Sequence, residues 1–247
     1  MVYITGDTHA DLKRFSSINF PCVKDMTKAD YIIICGDFGG VWDDSVNQSH
    51  WLDWLDTKPF TTLFVSGNHE NFDLLRAFPE KEWSGGRVQY IRPSVIHLLR
   101  GQVFTINNKR FFTMGGASSH DIRDGILEPD DPDLIFKRQK LERRNALFRI
   151  NNISWWKEEL PSDEEYAIAR KNLDACGWQV DYIVTHCAPT SVANMLGSGI
   201  YRADRLIDFL QEVSERCEFD QWYFDHYHDC KTIMEKYHLL YKQIMEA

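Results

Sequence analysis

Three short apolar segments, each followed by a polar turn and an amphipathic stretch, constrain the fold of this chain more than any other feature of its sequence. They are VYIT before GDTHAD, YIIIC before GDFGG, and TLFVS before GNHE. Short apolar strands that alternate with helical patterns predict β-α-β crossovers and a sheet buried on both faces. Functional groups gather at the carboxyl ends of the strands in such sheets. The turns are therefore where we expect a site.

The rest of the chain predicts more sheet and one contrasting region. Strand-like segments follow Arg87, namely RVQYI, VIHLL, QVFTI and RFFTM, and the strand pattern returns later in VDYIVTH and QWYF. Residues 117–175 are instead charged and helical in pattern, with no strand signature. We expect a single domain over residues 1–247, in which residues 117–175 form a charged helical insertion or cap.

Composition and charge exclude several classes of protein. The net charge of −9 and the absence of a dense lysine and arginine run argue against stable binding of duplex nucleic acid, which remains possible only as a substrate. No apolar run reaches the length that spans a bilayer, so no membrane partner is expected. The start MVYITGD lacks the features of an export signal, and six cysteines without a C-x-x-C pair suggest reduced thiols. We expect a cytoplasmic protein.

Carboxylate, amide and imidazole groups follow five of the apolar strands. They are Asp7 and His9, Asp37, Asn68 and His69, His186, and His226 and His228. These side chains offer oxygen and nitrogen ligands and no thiolate, which suits Mn, Fe or Zn better than a structural cysteine-zinc site. A carboxylate shared by two cations, with histidines completing each shell, is typical of a two-metal centre. We expect two divalent metal ions, with Mn as the first choice and Fe or Zn as alternatives.

Five sequence blocks, in order, carry a family resemblance. The blocks GDTH, GD-x-G-G, GNHE, TH and H-x-H extend from Asp7 to His228 and resemble those of the calcineurin-like metallophosphoesterase family. A single block occurs by chance, but five in order, each behind an apolar strand, are specific. The resemblance implies an α/β fold of the metallophosphoesterase type, a layered α/β/β/α sandwich of mixed sheets flanked by helices.

The resemblance also implies a role for each residue of the blocks. One metal would be held by Asp7, His9 and His228, and the other by Asn68, His186 and His226. Asp37 would bridge the two metals. The expected catalytic residues are Asp37 and His69, and His69 would lie near the phosphate, where it stabilises the phosphate or protonates the leaving oxygen.

The implied activity is hydrolysis of a phosphate mono- or diester by a water that two metals activate. The substrate would be a phosphorylated small molecule, a nucleotide or a phosphoprotein. One alternative is a nucleotide-directed phosphodiesterase, pyrophosphatase or nuclease of the same fold, and another is a non-catalytic binding scaffold that keeps the fold. On the loop GGASSHDIRDG, His120 and Arg123 are candidates for substrate contacts.

The second block departs from the pattern of the protein phosphatases in this family, which carry G-D-x-x-D-R-G. Here Asp37 is followed by FGGV, so the second aspartate and the arginine are missing. Asp43, Asp44 and Asp73 are candidates for the missing partner of His69. Candidates for the missing arginine are Arg138, Lys140, Arg143 and Arg144, although a solvated helix paired with Glu142 is the simpler interpretation of that run.

Two further features have more than one interpretation. Asp225 stands where the family usually has glycine before H-x-H, and it would be either an acceptor for a ligand imidazole or a solvated turn carboxylate. The tryptophans in WLDW and SWW fall at spacings that would place them on a helix face, and packing in the core or in the cap is the favoured interpretation; they are Trp51, Trp54, Trp155 and Trp156.

Overall fold

A computed structural model describes residues 1–197 and 204–247 of the chain. The strands within these residues are β1 Val2–Thr5, β2 Tyr31–Ile34, β3 Thr61–Phe64, β4 Glu80–Trp83, β5 Gly86–Arg92, β6 Val95–Leu98, β7 Gln102–Ile106, β8 Lys109–Met114, β9 Ile126–Leu127, β10 Arg149–Ile150, β11 Tyr182–Thr185, β12 Gln221–Phe224, β13 Lys231–Ile233, β14 Tyr237–Leu239 and β15 Ile244–Glu246. The α-helices are α1 Val46–Asp56, α2 Phe72–Arg76, α3 Leu134–Glu142, α4 Asp163–Ala175, α5 Thr190–Gly197 and α6 Arg205–Arg216. None of the described helices is long and apolar enough to cross a membrane.

The described strands form two large mixed sheets. The first has the order β15-β1-β2-β3-β6-β5-β4, with β1, β2, β3 and β6 parallel and antiparallel strands at both edges. The second has the order β13-β14-β12-β11-β8-β7, with a parallel centre and antiparallel edges formed by β13 and β7. The repeated strand–turn–helix pattern thus builds the parallel centre of the first sheet.

Alternate residues of each central strand face different layers, as the two-residue period of a strand requires. In β2, Ile33 packs between the two sheets, in one cluster with Tyr223 of β12. Its neighbours Ile32 and Ile34 face the opposite way and pack against Leu52 of α1. An apolar run buried on both faces, as YIIIC predicts, therefore supplies two layers of core at once.

The outer face of the second sheet is covered by three helices. Leu173 of α4, Val192 of α5 and Leu210 of α6 pack in one cluster with Ile183 of β11 and Trp222 of β12. With α1 and α2 on the first sheet, the order of layers is helix, sheet, sheet, helix. The predicted fold class is confirmed.

Residues 117–175 contain more than the predicted helices. Besides α3 and α4, two short strands, β9 and β10, pair in parallel through Ile126 with Arg149 and Leu127 with Ile150. The expectation that this region has no strand was wrong, because two-residue strands carry too short a pattern to read from sequence. Since α4 packs on the second sheet, that helix belongs to an outer layer of the sandwich. That the region as a whole acts as an insertion or cap stays a prediction.

We expect replacement of Ile33 by alanine to destabilise the fold strongly. Ile33 is fully buried between the two sheets, so the deleted methyl groups leave a cavity that rigid neighbouring strands cannot fill. The free energy of unfolding, measured by urea denaturation, should fall by about 2–5 kcal/mol. Ile135→Ala on α3 is the matched control, because Ile135 is 74% exposed, and it should change the value by less than about 0.5 kcal/mol. A loss below about 1 kcal/mol for Ile33→Ala would contradict this packing.

Candidate metal centre

The polar residues of the five blocks meet where the parallel strands of the two sheets end. Asp7, Asp37 and Asn68 lie just beyond the carboxyl ends of β1, β2 and β3, which are neighbours in the first sheet. His186 and His226 lie just beyond β11 and β12, which are neighbours in the second. Because the sheets stack face to face, their strand ends converge on one site.

Two buried carboxylates form the middle of this site. Oδ2 of Asp7 lies 3.0 Å from Nε2 of His228 and 3.6 Å from Nε2 of His9. On its other side, Oδ1 of Asp7 lies 3.5 Å from Nδ1 of His186, whose Nε2 is 3.5 Å from Oδ1 of Asp37. These residues form two sets of potential metal ligands, and within each set the ligand atoms lie within 4.8 Å of one another. One set is Asp7 with His9 and His228, and the other is Asp7 with Asp37 and His186.

Asn68 and His226 complete the second set. Oδ1 of Asn68 lies 3.1 Å from Nε2 of His186, and the rings of His226 and His186 have centroids 5.0 Å apart. The amide nitrogen of Asn68 donates to Oγ of Ser119 at 3.2 Å, which directs the amide oxygen toward the carboxylates. The structure thus brings all seven predicted ligands to one place. Their binding of metal stays a prediction.

Asp7 shows that these residues fit a cation. The residue is fully buried, and neither carboxylate oxygen accepts a hydrogen bond from any residue that the structure describes. The imidazoles around Asp7 replace its lost water only in part, and a buried carboxylate without a full set of hydrogen-bond donors is costly. A divalent cation between the carboxylates and imidazoles would satisfy both oxygens.

The charges of the site lead to the same conclusion. Burial alone would lower the pKa of His186, but Asp37 and Asp7 outweigh it and raise that pKa to about 10. Burial would likewise raise the pKa of Asp7, but His186, with His228 and His9, holds it below its usual value. Positive charge nearby would therefore stabilise the two carboxylates, which are buried away from water. Bound cations would supply that charge.

Four of the predicted ligands have an unusual backbone conformation. The φ angles of His9, Asp37, His226 and His228 are 43°, 42°, 68° and 49°. Positive φ is uncommon outside glycine and costs of order 1–3 kcal/mol per residue, and such residues cluster at functional sites. The fold therefore holds these side chains in directions that a relaxed turn would not give them.

Two glycines allow the ligands to approach one another. Gly36 has a φ of 109°, and a Cβ atom there would lie 2.3 Å from Nδ1 of His186. A Cβ atom on Gly67 would lie 2.0 Å from Oδ1 of Asp37. Any larger residue at either position would displace a predicted ligand.

Glu70, the last residue of GNHE, has a role that the sequence analysis did not assign. It is fully buried, and its carboxylate accepts hydrogen bonds from the backbone N–H groups of Phe38, at 2.8 Å, and Gly39, at 3.3 Å. Burial, with Asp37 nearby, raises the pKa of Glu70 to about 8. Glu70 thus fixes the turn that follows Asp37. Its place beside His69 in the third block was the only signal that could have pointed to it.

Asp225 corrects the expectation for the fifth block. It is fully buried, and Oδ2 accepts a hydrogen bond from the backbone N–H of Asp7, so it is neither a solvated turn carboxylate nor an acceptor for an imidazole. Burial, with Asp7 nearby, raises the pKa of Asp225 to about 9. On the other side of Asp7, the guanidinium of Arg14 donates to its backbone carbonyl. Both ends of this ligand's backbone are therefore held.

His69 lies beside the ligands and not among them. Its backbone N–H donates to Oδ1 of Asp37 at 2.7 Å, and its half-buried ring meets that of His9 edge to face at 5.6 Å. Burial lowers the pKa of His69, although the charge of Asp37 opposes the shift. The neutral imidazole, which keeps one N–H donor, is therefore favoured at neutral pH.

The predicted partners of His69 are engaged elsewhere. Asp73 accepts a hydrogen bond from Nε1 of Trp156 at 2.7 Å and pairs with Arg76, and Asp43 accepts from the backbone N–H of Ser45 at 3.0 Å. Among the described residues, neither of these carboxylates nor Asp44 is hydrogen-bonded to the ring of His69.

The two predicted substrate contacts lie in different places. Nε2 of His120 is 2.9 Å from Nε2 of His226, so His120 reaches the edge of the second ligand set. Arg123 is exposed, and no contact joins it to the ligands within the described part of the chain. The structure therefore brings His120 to the site but not Arg123.

An arginine that the sequence did not single out, Arg149, lies beside the predicted ligands. Arg149 lies in β10 and lines a cavity together with His9 and His69, and its Nε donates to Oδ2 of Asp121 at 2.8 Å. The arginines proposed for this role remain on the surface, where Arg138 pairs with Glu142 at 2.7 Å. Arg149 is the last residue of the basic run Lys137–Arg149, and nothing in the local sequence marks it as more suitable for this role than the other basic residues of the run.

The tryptophans also differ from expectation. Trp51 lies on α1 as predicted, but its half-buried ring lines the cavity beside the ligands. Trp155 and Trp156 lie outside any helix, and Trp156 is almost fully buried. The predicted core packing is thus confirmed for Trp156, and Trp51 and Trp54 pack against the same cluster, whereas the helical position expected for Trp155 and Trp156 was wrong.

Comparisons with known proteins agree with this geometry. The sequence model of a family described as calcineurin-like phosphoesterase matches residues 1–229. A lariat debranching enzyme of Danio rerio is 26% identical over 63% of this chain and 28% of its own length, and lariat debranching enzyme A of Xenopus laevis is 27% identical over 51% and 26%. A lariat debranching enzyme of Drosophila melanogaster is 25% identical over 62% and 30%. The matched region thus spans less than a third of each of these relatives.

We expect Asp225→Ala to weaken both the fold and metal binding, whereas Asp225→Asn should be tolerated. Alanine leaves the buried N–H of Asp7 without an acceptor, which costs about 1–3 kcal/mol, and frees the ligand to move. Asparagine keeps an acceptor oxygen in the same place. Urea denaturation and calorimetric titration with Mn²⁺ would measure the two effects. Equal stability and equal Mn²⁺ affinity for the alanine variant and the unaltered protein would contradict this role.

Proposed function

Since this chain belongs to the calcineurin-like phosphoesterase family, we propose that it hydrolyses phosphate mono- or diesters with the help of two divalent metal ions. Membership confirms the family and the general enzyme class, a hydrolase of phosphoric ester bonds, that the five blocks predict. The observation that carries the proposal is the pair of buried carboxylates, Asp7 and Asp37, with imidazoles from four strand ends around them and a cavity beside His9 and His69.

The seven residues divide between two ions as the family resemblance implies. Asp7, His9 and His228 would hold one ion, Asn68, His186 and His226 the other, and Asp37 would lie between them. When bound, such ions neutralise the charge of phosphoryl oxygens and lower the pKa of a coordinated water.

His69 would act on the substrate. It lines the cavity next to His9, and its hydrogen bond to Asp37 fixes its backbone relative to the predicted ligands. A ring N–H aimed into this cavity would stabilise a phosphoryl oxygen or assist departure of the leaving oxygen. The lowered pKa of His69 keeps the ring in the neutral form, which donates through one N–H.

Arg149 would orient the ester. Its guanidinium is always charged and presents several N–H donors in one plane, which matches the oxygens of a phosphate. The ion pair with Asp121 holds the side chain against the cavity wall. An arginine supplied by β10 would thus do the work of the arginine that the second block lacks.

A nucleotide-directed phosphodiesterase is the second candidate function. The names of the relatives favour it, since three are lariat debranching enzymes. Because those relatives are more than three times as long as the matched region, their substrate is not transferred to this chain. The binding-scaffold alternative is less well supported, because the chain places all seven predicted ligands together.

The first test is hydrolysis of p-nitrophenyl phosphate and bis(p-nitrophenyl) phosphate with added Mn²⁺. We expect turnover that a chelator abolishes and that Asp37→Asn lowers at least a hundredfold. Outer-shell partners of a metal already contribute about 10–100-fold, and Asp37 lies at the centre of the cluster. The preferred ester would separate a monoesterase from a diesterase.

A binding measurement separates the enzyme from the scaffold. Calorimetric titration should show about two Mn²⁺ ions per chain, and saturating Mn²⁺ should raise the melting temperature, since a ligand at a hundred times its Kd stabilises a fold by about 2.7 kcal/mol. Two bound ions without turnover of either ester would favour the scaffold. A chain that binds no Mn²⁺, Fe²⁺ or Zn²⁺ would contradict the metal centre itself.

Replacing Arg149 tests the proposed phosphate contact. Arg149→Ala should lower kcat/KM for the preferred ester by roughly 10–100-fold, because a charged donor aimed at the phosphate is lost. Arg149→Lys should recover part of the loss, since the charge returns without the planar donors. Arg143→Ala is the matched control: Arg143 is an exposed arginine of the same segment and should leave kcat/KM unchanged. Equal kinetics for the two alanine variants would remove Arg149 from the site.

A further inference from the structure

The cavity beside the predicted metal ligands is large enough for more than a phosphate. Its volume is about 500 Å³, within the range of roughly 300–1,000 Å³ typical of small-molecule sites. One end is lined by His9, His69 and Arg149, which face the reacting phosphate in the proposed function. Two indole rings, those of Trp42 and Trp51, line it as well. The cavity therefore combines an anion-binding end with an aromatic wall.

Trp42 is held rigidly in this wall. Its backbone N–H donates to Oε1 of Gln48, and its carbonyl oxygen accepts from Nδ2 of Asn71 at 2.7 Å. Its ring meets that of the buried Trp156 edge to face, with centroids 5.6 Å apart. The part of the indole that stays exposed toward the cavity is thus fixed before any ligand arrives.

Trp51 is held by a helix. The neighbouring residues Leu52 and Leu55 of α1 are buried in the core of the first sheet, so the helix cannot turn. The ring of Trp51 meets that of Trp54 edge to face at 5.5 Å and remains half-buried. Rigid aromatic surfaces of this kind suit a flat ring, because little side-chain entropy is lost when it stacks.

Polar groups accompany the indoles. Oε1 of Gln48 accepts from the backbone N–H groups of Trp42 and Asp43, so the amide nitrogen of Gln48 remains to donate, and it has no partner among the described residues. Asn47 and Asp43, both exposed, also line the cavity. Amide and carboxylate groups match the donor and acceptor edge of a nucleobase, whereas a plain phenyl ring has no such edge.

We infer that this cavity binds the base of a nucleotide whose phosphate lies at the metal centre, with the base against Trp42 and Trp51. The inference deepens the proposed function and rests on it. It names the substrate class as a nucleotide ester. A flat ring with a polar edge, joined to a phosphate, is the one ligand chemistry that uses the aromatic wall, the amides and the cationic end together.

The charge of the protein favours a short nucleotide over a polymer. Among the described residues that line the cavity, Arg149 is the one with a fixed positive charge, and the chain as a whole carries −9. A polynucleotide needs several lysine or arginine contacts along its backbone to offset that repulsion. A mononucleotide, with one phosphate at the metal centre and one base in the cavity, needs no such row of basic contacts.

Three esters with the same leaving group test the inference on the Mn²⁺-loaded protein. They are the p-nitrophenyl phosphodiesters of thymidine (at its 5′ oxygen), of phenol and of ethanol. We expect kcat/KM for the thymidine ester to exceed that for the ethyl ester roughly tenfold or more, as one base stacked on an aromatic ring provides. Trp51→Ala and Trp42→Ala should each shrink this ratio severalfold, whereas Trp51→Phe should keep most of it.

The controls separate specificity from folding. Trp83→Phe alters an indole that packs against Tyr31 and Phe104, away from the cavity, and should leave the ratio unchanged. Thermal melts of each alanine variant, with Trp51→Phe as the conservative partner, show whether the fold is retained. A ratio near one in the unaltered protein, or a ratio that Trp51→Ala does not shrink, would overturn the inference. Equal kcat/KM for the phenyl ester and the thymidine ester would also overturn the inference, because the cavity would then recognise any aryl group and not a nucleobase.

Failure of the inference and failure of the proposed function give different results. If all three esters are hydrolysed without preference, the phosphoesterase stands and the base site does not. If none is hydrolysed, p-nitrophenyl phosphate shows whether the protein is a monoesterase, and a titration of the intrinsic tryptophan fluorescence with thymidine 5′-phosphate and ribose 5-phosphate tests the base site. Quenching by thymidine 5′-phosphate alone, lost in Trp51→Ala, would keep the base site, in a monoesterase if p-nitrophenyl phosphate is hydrolysed and in a binding protein if it is not. Equal or absent quenching would reject the base site, and without hydrolysis of p-nitrophenyl phosphate the proposed function would fail as well.

Discussion

The burial of Asp7 and Asp37 among histidine side chains is the interaction on which the rest of this structure depends. Two carboxylates cannot be removed from water unless opposite charge and hydrogen bonds replace it. Here the replacement comes from both sheets, since His186 of the second sheet lies 3.5 Å from a carboxylate oxygen of each aspartate of the first. Stacking of the two sheets thus brings the aspartates at the strand ends of the first sheet next to the histidines at the strand ends of the second.

The backbone around these carboxylates is held by other buried acidic groups. Asp225 accepts the N–H of Asp7, and Glu70 accepts two N–H groups of the turn after Asp37. Burial raises the pKa of both carboxyl groups, to about 9 and about 8, which favours their neutral forms near neutral pH. Asp225 and Glu70 can therefore hold the backbone around the two central carboxylates without adding their full negative charge to the site.

Local patterns carried most of what the sequence predicts. The continuous apolar run of β2 and the polar residues after each strand are local, and they predicted a sheet buried on both faces with a site at its strand ends. The four layers and the roles of the seven residues came from the resemblance that the five blocks carry. Asp225 and Arg149 could not be assigned in the same way. The hydrogen bond from Asp7 to Asp225 spans 218 residues, and the position of Arg149 beside the cavity depends on how residues 117–175 fold. Such contacts depend on tertiary packing, which no local spacing records.

The cavity is lined in part by the segment in which this chain differs from the protein phosphatases of its family. The second block lacks the aspartate and arginine of the protein phosphatases, and the turn that replaces them leads directly into Trp42. In the proposed function the guanidinium comes instead from Arg149, on an element outside the central sheets. The predicted ligands lie at strand ends that the core holds in place. The residues that line the cavity, Trp42, Trp51 and Arg149, lie instead on a turn, a helix and a short strand, which can vary without disturbing the predicted ligands. A change in the residues that line the cavity can therefore change which ester is bound without disturbing the predicted ligands.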